Sequence, residues 1–235
     1  MSKKPLKHGD QKVIDERLRL KAAKKIRRTE ELPLLPPITK IFCEGTKTEP
    51  HYLKEIVNSI TERYKKYAME NRISLDDVVQ IEGVARSGKS LLEYAKKHVP
   101  TDVVNVWLVY DKDDFPPEQF NVTPKMAAAE TKKGKVNYST AWSNECIELW
   151  FLLHFQDLYS NISRELYIEK LREHYPAYTK SSTDVYTQLK TKTNDAIKRA
   201  KKLYESFEPE KTPSEKAPCT MVYKLVEFLL EYIEH

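Results

Sequence analysis

Acidic residues follow two apolar segments of the chain that are predicted to be strands of one parallel sheet. Glu44 directly follows the first of these segments, residues 39–43. Asp111 directly follows the second, residues 103–110, and Asp113 stands two residues after Asp111. Because the carboxyl ends of parallel strands share one edge of a sheet, we expect the three carboxylates to converge. Their repulsion is best relieved by Mg²⁺ or Mn²⁺, which can clamp a phosphodiester, so the pattern favours phosphoryl-transfer chemistry.

Each acidic candidate also has a structural interpretation. Asp113 and Asp114 precede Phe-Pro-Pro and could be turn or helix-cap residues. Glu148 opens the apolar segment 147–155, where it could be a metal ligand, a supporting carboxylate or one half of an ion pair. His154 in the same segment is interpreted as a core histidine.

A match to the Walker A pattern lies between a predicted strand and a predicted helix. Residues 83–90 read Gly-Val-Ala-Arg-Ser-Gly-Lys-Ser, which in that context could bind a nucleotide phosphate. A full strand–helix unit with its own acidic residue precedes the match, and a P-loop enzyme has no use for that unit. The alternative is that the loop holds a nucleic-acid phosphate beside the metal, through Arg86, Ser87, Lys89 and Ser90.

Further candidates for binding phosphate or nucleic acid are scattered along the chain. Lys47 and Asn144 are two of them, although Asn144 could instead cap a helix. Lys180 stands two residues after Tyr178. A cation beside an aromatic ring could bind single-stranded nucleic acid, and the alternative is a solvated helix surface. Residues 1–30 hold eleven Lys or Arg and four Asp or Glu, a charge of +7, so the rest of the +5 chain sums to −2. This basic arm could neutralise phosphates or be a solvated tail.

The elements that position these residues alternate between strand and helix up to about residue 160, and the pattern after that is helical. We predict an α/β fold with a doubly wound, mostly parallel sheet. The predicted domains are a basic arm and linker at 1–37, the α/β domain at 38–160 and a helical extension at 161–235. Strands are predicted at 39–43, 77–82, 103–110 and 135–141. Helices are predicted at 49–71, 91–98, 117–133, 147–155, 164–174, 182–207 and 220–234.

Composition narrows the class of protein. Hydrophobic residues make up 40% of the 235 residues and charged residues 32%, which excludes a disordered chain. The apolar runs are too short to span a bilayer, so we expect no contact with membranes. Three widely spaced cysteines, Cys43, Cys146 and Cys219, favour a reducing cytoplasm over a disulfide framework.

Three segments of the chain carry a family resemblance. They are Ile-Phe-Cys-Glu-Gly-Thr-Lys-Thr-Glu at 41–49, Val-Trp-Leu-Val-Tyr-Asp-Lys-Asp-Asp at 106–114, and Ser-Asn-Glu-Cys-Ile-Glu-Leu-Trp-Phe-Leu-Leu-His-Phe at 143–155. These segments resemble the RloB family, which is also known from the second component of the AbiL abortive-infection pair. The resemblance extends over roughly residues 38–234, and RloB-like proteins are in turn similar to Toprim domains.

The resemblance implies a Toprim-like site with Glu44 as general acid/base or metal ligand and Asp111 and Asp113 as a metal pair. Asp114 or Glu148 would supply a further carboxylate. It also implies a nuclease acting on RNA, including tRNA, or on DNA in anti-phage defence, with an AAA- or ABC-type ATPase as partner. The alternatives are a non-catalytic subunit that binds nucleic acid or the ATPase, and a P-loop phosphohydrolase.

Overall fold

The computed structural model describes residues 35–113, 115–134 and 136–234, and the basic arm and Asp114 lie outside these ranges. Residues Pro36–His235 form one compact unit. The predicted division of that unit near residue 160 stays a prediction.

One five-stranded sheet organises the described residues. Its strands are β1 (Thr39–Cys43), β2 (Val79–Gly83), β3 (Asn105–Asp111), β4 (Asn137–Asn144) and β5 (Cys219–Thr220). They lie side by side in the order β2-β1-β3-β4-β5. The first four are parallel, and β5 is antiparallel to β4. The predicted α/β fold with a mostly parallel sheet is therefore confirmed.

Helices cover both faces of this sheet. They are α1 (Thr48–Asn71), α2 (Gly88–His98), α3 (Pro117–Lys133), α4 (Glu148–Leu152), α5 (Arg164–His174), α6 (Val185–Leu189), α7 (Thr193–Glu205) and α8 (Val222–Glu234). From β1 the chain moves to β2 at one edge of the sheet, and from β2 it moves in the opposite direction, to β3 and then to β4. Right-handed crossovers therefore put α1 on one face and α2 and α3 on the other. Contacts of α1 with α8 and of α2 with α3 agree with this arrangement.

The central strands form the core, as their apolar sequences predict. Residues 106–111 of β3 are all buried, because neighbouring strands and both helical layers cover them. The three cysteines are buried and are free thiols. No helix in the described ranges is long and apolar enough to cross a membrane.

The region after residue 160 differs from the prediction in two places. Cys219–Thr220 form an edge strand instead of starting the last helix, and the Thr220 hydroxyl lies 3.0 Å from that of Ser143 on β4. Such a short strand shows no periodicity in the sequence, so only pairing with β4 reveals it. The helix predicted at 182–207 is interrupted by a 3₁₀ turn at Lys190–Lys192.

Candidate active site

The first two carboxylates lie where the strand order of the sheet reverses. β1 and β3 are neighbours, but their crossovers run in opposite directions, and open α/β sheets bind ligands at the crevice this creates. Glu44 directly follows β1, and Asp111 is the last residue of β3. The backbone N–H of Asp111 donates to Oε2 of Glu44 at 3.1 Å. The structure thus brings these two predicted residues together.

An arginine joins the two aspartates. Nη2 of Arg164, at the start of α5, lies 3.2 Å from Oδ2 of Asp111 and 2.5 Å from Oδ1 of Asp113. Asp111 is buried, and the same Oδ2 accepts the backbone N–H of Ile147 at 3.2 Å. The Asp-x-Asp pair is therefore held by a guanidinium, together with one backbone donor from the segment that leads into α4.

Glu148 is the first residue of α4 and is only 1% exposed. Its Oε1 accepts the hydroxyl of Tyr178 at 2.9 Å, and its Oε2 is buried without a hydrogen-bond partner. The alternative in which Glu148 is half of an ion pair has no support among the described residues, where the group that it binds is a neutral phenol. The prediction that Tyr178 lies on a nucleic-acid-binding or solvated surface is wrong, because Tyr178 is 1% exposed and packs on Phe151.

Glu49 is a further buried carboxylate of this region. It lies in the first turn of α1 and is 5% exposed. A Cβ on Gly45 would come within 2.1 Å of its Oε2, so a larger residue at position 45 would force the Glu49 side chain to move. Burial, with smaller contributions from the charges of Glu44 and Glu148, raises the pKa of Glu49 to about 7.

The carboxylates form one electrostatic cluster, which we call the carboxylate cluster: Glu44, Glu49, Asp111, Asp113 and Glu148. Burial raises the pKa of Asp111 well above its usual value, and the charges of three other cluster members raise it further. Burial also raises the pKa of Glu44, although a hydrogen bond from Ser87 opposes this. Burial alone would lower the pKa of Arg164, but the charges of Asp111 and Asp113 raise it. The cluster therefore holds more negative charge than its environment favours.

The donor atoms suit a hard divalent cation. Every candidate ligand is a carboxylate, the class that Mg²⁺ and Mn²⁺ prefer, and one buried oxygen of Glu148 has no partner. Among the residues that the structure describes, no three His, Cys, Asp or Glu side chains are close enough together to hold an ion. The chemistry of the cluster therefore fits the predicted metal, while its side chains are arranged around the guanidinium of Arg164.

The Walker-like loop lies beside this cluster, but most of its predicted phosphate-binding side chains belong to another surface. A Cβ on Gly83 would lie 2.6 Å from the carbonyl oxygen of Gly45, so the two loops touch. Arg86, Lys89 and Ser90 are exposed and line a cavity of about 890 Å³ on the α2 and α3 side. The strand before the loop, β2, is an edge strand of the sheet. Of the four predicted side chains, Ser87 is the one that contacts the cluster, through its hydrogen bond to Glu44.

The remaining predicted binding residues are also separated by the fold. The amide nitrogen of Asn144 donates to the carbonyls of Pro213, Ser214 and Lys216 at 3.1–3.2 Å, so this side chain anchors a loop. Asn144 ends β4 and does not cap α4, which corrects that alternative. Lys180 is exposed, and its charge lowers the pKa of Asp113, although burial and Arg164 act on that pKa more strongly. Lys47 is exposed immediately before α1.

Two residues of the site were not singled out from the sequence. Glu49 follows Glu44 by five residues, and a second acid so close to a predicted ligand is a usable signal. Arg164 lies outside every motif and carries no signal of its own. It reaches the aspartates only because α4 and α5 pack together.

Comparison with known protein families gives one finding. The family model described as RloB-like protein matches residues 40–229, which is most of the 235-residue chain and includes every member of the carboxylate cluster. A search of curated proteins finds no match.

Proposed function

This chain belongs to the RloB-like protein family, and from that premise we propose that it is a Mg²⁺- or Mn²⁺-dependent nuclease acting in anti-phage defence. Its substrate would be the phosphodiester backbone of RNA, including tRNA, or of DNA. The observation that carries the proposal is the meeting of Glu44 and Asp111 at the reversal of strand order, with Asp113 joined to Asp111 through Arg164. This is the position at which open α/β sheets bind ligands.

Each residue has a role that follows from its surroundings. Asp111, Asp113 and Glu44 would hold the cation, which when bound supplies Lewis-acid stabilisation of charge on the phosphate. Glu49, with a pKa of about 7, can hold or release a proton at neutral pH, as a general acid or base must. Tyr178 orients Glu148, which supports the cluster from the buried side.

The approach to the cluster is polar. A cavity of about 610 Å³ opens beside Asp113 and is lined by Lys112, Asn121 and Asn161, and also by the acidic residues Glu145 and Glu215. Amide and ammonium groups are common donors to phosphate and sugar oxygens. We propose that the substrate strand enters here, with Lys180 adding positive charge. The ATPase partner remains a proposal that rests on the family resemblance, and the cytoplasmic location remains one that rests on the three free cysteines.

A second candidate function is a non-catalytic subunit that binds nucleic acid or an ATPase. The ion pairs of Arg164 with both aspartates favour it, because a guanidinium can hold these two carboxylates together with no metal at all. The two functions differ in whether a divalent cation binds the cluster.

The deciding experiment compares RNA and DNA ends in cells that express wild type, Asp111→Asn or the control Asp157→Asn. Asp157 also faces an arginine, Arg199 at 3.9 Å, but is not a member of the cluster. A nuclease predicts new ends with wild type and the control and none with Asp111→Asn. The same ends with all three proteins, or with none of them, would refute the proposal.

Purified protein gives an independent measurement of the metal. Millimolar Mg²⁺ or Mn²⁺ should raise the melting temperature of wild type, because a ligand that binds only the folded state stabilises it by mass action. The double variant Asp111→Ala/Asp113→Ala should show no such rise. An identical rise in both proteins would exclude the aspartate pair as the metal site.

A further inference from the structure

Arg164 occupies the point that the two aspartates would share with a cation. A single nitrogen atom, Nη2, contacts both carboxylates, at 3.2 Å from Asp111 and 2.5 Å from Asp113. A Mg²⁺ ion binds its oxygen ligands at about 2.0–2.1 Å and tolerates little deviation. The guanidinium and an ion held by the same two carboxylates would therefore exclude each other.

The guanidinium is not fully satisfied where it lies. Its Nε is buried and has no hydrogen-bond partner, and a buried unpaired donor is unfavourable. The side chain is nevertheless 28% exposed, so it has a route to solvent. Residues 156–163, which precede it, form neither helix nor strand. The Arg164 side chain is therefore incompletely hydrogen-bonded and can reach solvent.

Within the described residues, Arg164 makes ion pairs with two of the five carboxylates of the cluster, Asp111 and Asp113. Oε2 of Glu148, buried without a partner, shows that the guanidinium does not satisfy every oxygen of the cluster. A doubly charged ion would relieve more of the repulsion than a single guanidinium does.

We infer that Arg164 is the resident counter-ion of the carboxylate cluster, and that a divalent cation binds by displacing its guanidinium from Asp111 and Asp113. The inference rests on the proposed function, because it takes the cluster as a metal site. It assigns Arg164 a positioning role: the residue holds the two aspartates together until the ion replaces it. Arg164 also sets the metal concentration at which that exchange takes place.

The test measures divalent affinity without any nucleic acid. Mn²⁺ is titrated calorimetrically into full-length wild type, Arg164→Lys, Arg164→Gln and the control Arg199→Gln. Arg199 is 27% exposed and faces Asp157, so it matches Arg164 in exposure and in having an acidic partner. Arg164→Gln should bind Mn²⁺ at least about tenfold more tightly than wild type, because the competing cation is gone, whereas Arg164→Lys keeps a charge and should fall between them. Arg199→Gln should match wild type.

Equal or weaker Mn²⁺ binding by Arg164→Gln would overturn the inference, and so would an absence of binding in both proteins. A merely structural arginine predicts the weaker binding, since losing it would loosen the site.

A second measurement uses the wild-type protein and does not depend on a variant that folds. Phenylglyoxal modification of Arg164, followed by mass spectrometry, should rise severalfold when saturating Mg²⁺ or Mn²⁺ is added, while modification of Arg199 stays constant. Unchanged modification of Arg164 at saturating metal would refute displacement. If these results hold but no RNA or DNA is cleaved, the nuclease proposal fails and the displacement stands.

Discussion

Replacing Glu49 by glutamine should stabilise the protein at alkaline pH and have little effect in acid. Glu49 is 5% exposed, and its pKa is raised from 4.5 to about 7. Between these two values the folded protein binds more protons than the unfolded chain, so stability is lost as the pH rises through about 7. The amide side chain of the Glu49→Gln variant would keep the shape and an acceptor oxygen but never carry the charge.

The size of the effect follows from the shift. A rise from 4.5 to about 7 corresponds to about 3 kcal/mol of unfavourable free energy in the charged form. Glu49→Gln should therefore be about 3 kcal/mol more stable than wild type near pH 8, but only about 1 kcal/mol more stable near pH 5. For a chain of this length, about 3 kcal/mol corresponds to roughly 6–12 °C in melting temperature.

Urea unfolding near pH 8 and pH 5 measures the difference in stability between wild type and Glu49→Gln. The buffer contains a chelator, so that no bound ion masks the repulsion. Glu70→Gln is the matched control, because Glu70 is exposed on the same helix, and it should show no such dependence on pH. If Glu49→Gln changes stability equally at both pH values, Glu49 is not a strained carboxylate and the account of the cluster is wrong.

Four other predictions concern separate parts of the molecule. Tyr178→Phe removes a hydroxyl donor to buried Glu148 and should lower the free energy of unfolding in urea by about 1–3 kcal/mol. An unchanged free energy of unfolding would show that this hydrogen bond does not stabilise the fold. Burial lowers the pKa of His154 to about 4, so the free energy of unfolding should fall as the pH drops from 6.5 towards 4. The same urea assay should show a smaller fall for His154→Gln. Calorimetry with Mg²⁺–ATP should detect no nucleotide binding that depends on Lys89, because the strand before the Walker-like loop, β2, lies at the edge of the sheet. Binding that is present in wild type and lost in Lys89→Ala would restore the P-loop interpretation. Deleting residues 1–30, with a charge of +7, should flatten the salt dependence of nucleic-acid binding without changing its metal dependence, and an unchanged slope would make the arm a passive tail.

Local patterns were sufficient to predict most of the fold. β1 at 39–43, α3 at 117–133 and α5 at 164–174 begin and end where the sequence predicts, because apolar runs, prolines and helical spacing are properties of neighbouring residues. The approach of Glu44 to Asp111 could also be predicted, since both follow strands of one parallel sheet. The failures were elements too short to have a period, such as the strand at Cys219–Thr220.

The sequence by itself thus determined the fold class and which acids end the strands β1 and β3. Only the tertiary structure decided how those acids are neutralised. Arg164 is more than fifty residues from Asp111 and Asp113 and belongs to no motif, yet it binds both. Tyr178 looked like a surface ring, but it is buried on Glu148 because α4 carries that carboxylate into the core. Charge balance in a buried cluster depends on every group within a few ångströms, and distance along the chain does not reveal which groups those are.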